Sequence, residues 1–201
     1  FQKENFGLNP IQVAVIGGLI YVCLSSSAPE DIETVKNKLS PYLAPYDLPK
    51  SKIACQKDII EACNWKLVME NNRECLHCMT NHPELLIPLY SSGFGKGLDK
   101  DHAQPSDQKF QETLIEKEKE WTSLGLPYEL IEFPDGLWFR TVRLPLANQC
   151  ISHTMKPEHA CKKLLGSLKR VEGSGLSLWT HPNSWNHFLS DHIVTFSVFP
   201  L

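Results

Sequence analysis

Between residues 70 and 85 the chain reads ENNRECLHCMTNHPEL, which places two histidines, two cysteines, three acidic residues and a proline within sixteen positions. Imidazole, thiolate and carboxylate are the side chains that bind transition metals, so this stretch is the first candidate for chemistry. On a helix, Glu70, Glu74 and His77 fall at i, i+4 and i+7 and share one face. His82 lies five residues beyond His77, which on a continuous helix turns it about 140° away. Pro83 disfavours helical geometry at the residue before it, so the helix is expected to end near Asn81 and let His82 swing back towards His77.

Several kinds of site are compatible with these residues. They could be ordinary polar groups at a solvated helix end, with Cys75 and Cys78 facing the core. A structural zinc could use Cys75, Cys78 and His82, although no fourth ligand follows at a recognisable spacing. Cys75-Leu76-His77 is formally half of a Rieske cluster signature, but no C-x-x-H follows at a useful distance. Two histidines with a carboxylate on iron(II), the arrangement that leaves positions open for dioxygen, is the remaining candidate.

The elements that must position these residues can be read along the chain. PIQVAVIGGLIYVCLSS is expected to form two short strands joined at Gly17-Gly18. SAPEDIETVKNKLSPYL reads as a surface helix with Ile32, Val35 and Leu39 on its apolar side. The stretch from Ile53 reads as a strand, and the apolar run Trp65 to Met69 leads into the helix of the metal-binding candidates. Residues 91–109 read as a long loop, and FQETLIEKEKEWTSLGLP as a charged helix closed by Gly125 and Pro127. LWFRTVRLPL, GSGLSLWTHP and DHIVTFSVFPL read as antiparallel strands, with HACKKLLGSLKR a short helix between them. The predicted class is α+β, an antiparallel sheet with helices to one side.

Composition limits the function classes. The 201 residues are 42% hydrophobic and 21% charged, enough for one good-sized core, so a single domain is expected. A net charge of −3 gives no field to hold a nucleic acid or an anionic membrane. The apolar run Val13 to Leu24 is too short to span a bilayer, no signal peptide is evident, and seven unevenly spaced cysteines suggest a reducing cytoplasm. The chain starts at Phe1 and stops in a strand-like run, so it is expected to be a fragment.

NWKLVMENNRECLHCMTNHPEL resembles the mononuclear-iron signature of the Rieske non-heme iron oxygenases, the ring-hydroxylating oxygenase alpha-subunit family. In that pattern a tryptophan-lysine strand enters an E-N-x-x-E-C-x-H-C-x-x-x-H-P helix. IQVAVIGGLIYVCL is similar to the strand pair that starts the family's catalytic domain, and LWTHPNSWNHFLSDHIVTFSVFPL to its glycine betaine and stachydrine demethylase branch.

The resemblance implies a helix-grip (START-like, SRPBCC) catalytic domain truncated at both ends. Residues 1–201 would be a partial mononuclear-iron domain, with the N-terminal Rieske domain absent from this chain. His77 and His82 would bind the iron, and Glu74 would link one ligand to the cluster of a neighbouring subunit. Asn71 would be an outer hydrogen-bonding residue. The third ligand, an aspartate on a late helix in relatives, would lie beyond Leu201; Asp191 matches a strand motif instead. The implied cofactors are mononuclear Fe(II), a [2Fe-2S] Rieske cluster in the missing domain, and NAD(P)H acting through a separate flavin/iron-sulfur reductase. The implied partners are a small-molecule substrate and dioxygen, and the implied assembly is a homotrimer. The reaction would hydroxylate and so demethylate a quaternary ammonium compound such as glycine betaine.

Trp179, Trp185, His187 and His192 fall on or beside the late strands, where aromatic residues most often belong to the core. A quaternary ammonium substrate would need aromatic faces, which makes Trp179 and Trp185 the candidates for a cation–π cage. Arg140 or Arg143 could pair with a substrate carboxylate, though a strand-edge arginine is commonly structural. Two other readings remain: the same family acting on an aromatic ring or choline-like substrate, and a zinc-stabilised binding module without enzymatic activity.

Overall fold

The fold is built around a five-stranded antiparallel sheet assembled from the second half of the chain in sequence order. A computed structural model of the protein describes residues 2, 7–73, 77–90, 105–133, 138–156 and 158–200. The strands are β3 (Ile131–Phe133), β4 (Phe139–Pro145), β5 (Ser174–Thr180), β6 (Ser184–Phe188) and β7 (Ile193–Ser197). A separate hairpin, β1 (Gln12–Ile16) and β2 (Leu19–Cys23), precedes helix α1 (Ile32–Leu43). Helices α2 (Trp65–Arg73), α3 (Cys78–Asn81) and α4 (Pro105–Ser123) follow, giving the expected α+β class.

The hairpin turn follows from its glycines. Ile16 pairs with Leu19, leaving a two-residue connection in which Gly17 and Gly18 have φ of +57° and +95°. Such turns match the twist of the flanking strands and need positive φ at both positions. A Cβ on Gly17 would also overlap the Leu43 side chain. The absence of that atom lets α1 dock, so Ile16 joins Val35, Leu39 and Leu43 in the main core.

Period-two alternation decides which residues of the large sheet face which side. Phe139, Leu176, Leu178 and Phe188 point into the core shared with α1. On the opposite face, Arg140 is in register with Trp179, Trp179 with Trp185, and Trp185 with Phe196. The next row on that face runs Val142, Ser177, His187, Val194. Helix α2 packs here, with Trp65, Val68 and Met69 against Trp179 and Trp185.

Three sequence expectations differ from the structure. Residues 52–63 are exposed and outside any strand ladder, so the strand expected from Ile53 is not formed among the described residues. The tryptophan-lysine pair is helical: the Asn64 side-chain oxygen accepts the Lys66 N–H at 3.0 Å and starts α2 at Trp65. Residues 158–170 form no helix despite their alanine, lysine and leucine content. Tertiary bonds override that propensity: Leu165 N–H donates to Ser190 O at 2.9 Å and Ser167 N–H to Pro45 O at 3.0 Å. Gly166 between them has φ +49°, and a Cβ there would collide with the Pro45 carbonyl.

The charged helix begins five residues before Phe110, at Pro105, and ends as expected, with Gly125 at φ +67°. Most of the loop read over 91–109 lies outside the described residues.

Candidate metal centre and the cavity beside it

Helix α2 carries the first part of the candidate stretch, and its inward face is Trp65, Val68, Met69 and Asn72, a 3.6-residue repeat. Glu70 and Asn71 are exposed on the other side, where Glu70 faces Arg73 at 3.8 Å. Asn72 rather than Asn71 reaches the sheet, accepting the Trp179 indole N–H at 2.8 Å. Glu74 and Cys75 lie outside the described residues.

Helix α3 ends where the proline argument placed its end. Asn81 is its last residue, His82 has φ −150° and ψ 66°, and Pro83–Leu86 continues as a 3-10 turn. This break brings the half-buried imidazoles of His77 and His82 together, with ring centroids 4.9 Å apart and planes at 73°. Candidate donor atoms of His77, Cys78 and His82 all lie within 4.8 Å of one another. Two nitrogens on one ion, each about 2 Å from it, must lie within ~4 Å, so the pair is a rotamer adjustment from ligation.

The donor set fits iron(II) better than zinc. Cys78 is buried and disulfide-bonded in this structure, so the zinc arrangement with Cys78 needs that bond reduced first, whereas both imidazoles are donors as they stand. Two imidazoles with positions left open are what the facial iron site requires from these two residues.

Trp179 and Trp185 are both buried, in direct register on β5 and β6. Trp185 stacks on Phe196 at 4.7 Å, and the Arg140 guanidinium lies 5.8 Å from the Trp179 ring. Trp179 also lines a small, largely apolar cavity of about 30 Å³, partly open to solvent, between the sheet and α4. Leu89 and Tyr90, just past the His82 turn, and Phe110 of α4 form other parts of its wall. Asn72 and Trp179 thus connect the helix before the histidine pair to the cavity.

Neither arginine considered from the sequence offers a simple substrate contact. Arg140 pairs with Glu132 at 2.9 Å. Arg143 is buried on the opposite face, where it meets Glu172, Tyr46 and Ser174.

Asp191 is committed to structure. Its Oδ1 accepts from Ser152 Oγ at 2.7 Å and lies 2.9 Å from His192 Nδ1, while Oδ2 accepts the Ala160 N–H at 2.7 Å. Burial pushes this carboxyl up, but the bonds from His192, Ser152 and Ala160 outweigh it and hold it well below the usual carboxylate range. A depressed folded-state value stabilises the fold above about pH 4, where the unfolded carboxyl ionises, and that contribution fades as pH falls towards the folded value. Asp191→Asn is therefore expected to cost about 2 kcal/mol or more at pH 7 and less at pH 2–3, where part of the carboxylate's contribution has been lost. Denaturant titrations at the two pH values test this; an equal loss at both would contradict the assignment.

Sequence reasoning did not single out Asn72 or His153. Asn72 was recoverable from its spacing with Met69, once the inward face of α2 is set by Trp65 and Val68. His153 lies in an irregular segment with no periodicity to mark it.

The histidine pair lies on a broken helix, and the open face of the sheet carries a small aromatic-lined cavity. The family model for the ring hydroxylating alpha subunit, catalytic domain, matches residues 45–201, and the chain belongs to that family. Glycine betaine monooxygenase oxygenase subunits are similar over the whole chain: that of Pseudomonas aeruginosa (strain UCBPP-PA14) is 38% identical over 202 residues, and that of Chromohalobacter salexigens 37% over 201. The carnitine monooxygenase oxygenase subunit of Acinetobacter pittii is 27% identical over 90 residues, 41% of this chain and 23% of that protein. The chain spans 45% and 43% of the two betaine relatives, a little under half their length. Among the described residues no helix is long and apolar enough to cross a membrane.

Proposed function

We propose that residues 1–201 are part of the mononuclear-iron domain of a Rieske-type oxygenase that demethylates glycine betaine. The observation supporting this most directly is the convergence of the His77 and His82 imidazoles, with ring centroids 4.9 Å apart. In this reading the two imidazoles hold iron(II), whose contribution when bound is the reductive activation of dioxygen. Glu74 would bridge, by hydrogen bonding, to a histidine ligand of a Rieske [2Fe-2S] cluster of a neighbouring subunit in a homotrimer. NAD(P)H supplies two electrons through a separate flavin/iron-sulfur reductase, and the protein works in the cytoplasm.

The overall change consumes glycine betaine, dioxygen, two electrons and two protons, and yields dimethylglycine, formaldehyde and water. The chain's own task is to hold the trimethylammonium group by aromatic faces, because a permanent cation without N–H donors has few other partners. Trp179 is suited to this: its ring lines the cavity and its N–H is anchored to Asn72, which fixes its orientation. Trp185 supports it from the next strand. The apolar wall of Leu89, Leu144 and Leu146 excludes water from the methyl groups.

The test is oxygen uptake by the full-length iron-loaded protein with reductase and NADH. Glycine betaine is expected to stimulate uptake and yield one formaldehyde per dioxygen consumed. Stimulation by an aromatic acid or by choline, with none from glycine betaine, would overturn the substrate assignment and retain the family.

A further inference from the structure

The cavity between the sheet and α4 is too small, as it stands, for the trimethylammonium group assigned to it. Its room of about 30 Å³ holds roughly one or two waters, whereas a benzene-sized ligand takes a cavity of about 150 Å³. Some part of the wall has to give way. On the sheet side the wall is set by strand pairing: Gly175, Ser177 and Trp179 follow one another along β5, and Ser177 is in register with His187 of β6. On the helix side Phe110 of α4 is buried, and Tyr90 is fastened to the same helix by Thr113, Oη to Oγ1 at 3.0 Å.

His153 is a wall residue carried by neither. It lies within residues 148–156, which form no helix or strand, and no backbone hydrogen bond joins residues 151–155 to another described residue. Its imidazole fills the space that Gly175 leaves open, since a Cβ on Gly175 would sit 3.4 Å from His153 Nε2. That space suits a polar ring badly. Nε2 is buried with no hydrogen-bond partner among the described residues, and burial, followed by the neighbouring His187 and His192, pushes the ring down to about 3. An unmet nitrogen destabilises this position, and withdrawal into water would relieve it. Asp191 opposes the withdrawal: Ser152 Oγ donates to its Oδ1 at 2.7 Å, and the Ala160 N–H donates to its Oδ2 at 2.7 Å. A segment with few backbone bonds, one contact that holds it and one that releases it, has what local opening requires.

We infer that residues 148–156 are a strap that closes the cavity, with His153 as its plug and the Ser152–Asp191 bond as its latch. The inference rests on the reading that this cavity receives a trimethylammonium group. Ligand enters when the imidazole leaves Gly175, and the vacated ring space adds to the room already there. Only the open form binds, so the association rate and the affinity are both lowered by the fraction of protein that is open. The dissociation rate is set by contacts that the withdrawn plug does not make.

Stopped-flow binding of glycine betaine and of tetramethylammonium to the full-length iron-loaded protein tests this. His153→Ala removes the plug, and Ser152→Ala removes the latch without touching the cavity wall; each should raise the association rate by about fivefold or more. His153→Phe keeps a ring beside Gly175 and removes the unmet nitrogen, so it should lower that rate by about fivefold or more. Dissociation rates should stay within about threefold in all three variants, whereas substitutions that simply remove ligand contacts act mostly on dissociation. If glycine betaine binds but its dissociation rate alone changes, or its association rate is unaltered in both alanine variants, the strap is overturned and the substrate reading stands. If tetramethylammonium follows the expected pattern while glycine betaine fails to bind, the strap stands and the substrate reading falls. Failure of both ligands to bind any of the four proteins would overturn both.

Discussion

Full-length protein carrying His77→Ala or His82→Ala is expected to lose its mononuclear iron and more than about 100-fold of its oxygenase activity. The bound follows because losing even an outer partner of a metal ligand costs 10- to 100-fold, and a ligand itself should cost more. The two rings meet only because α3 stops at Asn81 and His82 leaves helical geometry before Pro83. Each single change therefore leaves one imidazole, which cannot retain an ion that needs both. Iron per protomer after anaerobic loading is the direct measurement. Cys78→Ser is the informative companion, because the disulfide-bonded Cys78 supplies no thiolate to an iron pair and should be dispensable for metal retention. Iron that survives both histidine changes, or zinc that is lost with Cys78, would favour the zinc-stabilised module.

Pro83 and the glycine pair were the most legible features of the sequence, because each acts locally. Gly17-Gly18 forms its turn through φ preference alone, and proline displaces His82 through a clash with its own neighbour. The strands from Phe139 onward were legible for a related reason: alternation separates the core residues Leu176 and Leu178 from Ser177 and Trp179 without knowledge of any partner. What could not be read depends on distant contacts. Residues 158–170 have helical composition but are fixed by Asp191, Ser190 and Pro45. Residues 51–63 have strand composition, yet a strand exists only with a neighbour to bond, and none is paired with them among the described residues. The choice between Asn71 and Asn72 required the direction in which α2 faces the sheet. His153 required the cavity itself.

The second large effect is expected at Arg143, on the opposite side of the sheet from the cavity. Its side chain is fully buried and paired with Glu172, which is also fully buried. Arg143 donates further to Tyr46 Oη at 2.9 Å, Ser174 Oγ at 3.1 Å and the Pro127 carbonyl at 3.1 Å. Arg143→Met should cost about 3–5 kcal/mol, because it leaves the Glu172 carboxylate without a counterion inside the protein. The double change Arg143→Met with Glu172→Leu should recover at least about half of that loss. A buried ion pair replaced whole by apolar groups is often close to neutral, and Arg143 Nη2 and Glu172 Oε1 have no hydrogen-bond partner among the described residues to lose. Thermal and denaturant unfolding of the three proteins would show it, and a single change within about 1 kcal/mol of wild type would refute the argument. The consequence reaches the cavity, because Val142 and Leu144 flank Arg143 on β4 and face the other way, pairing with Ser177 and Gly175. Loosening the ion pair should therefore weaken ligand binding before the fold is lost, since the register that sets Trp179, Ser177 and Gly175 in line is held from behind by Arg143.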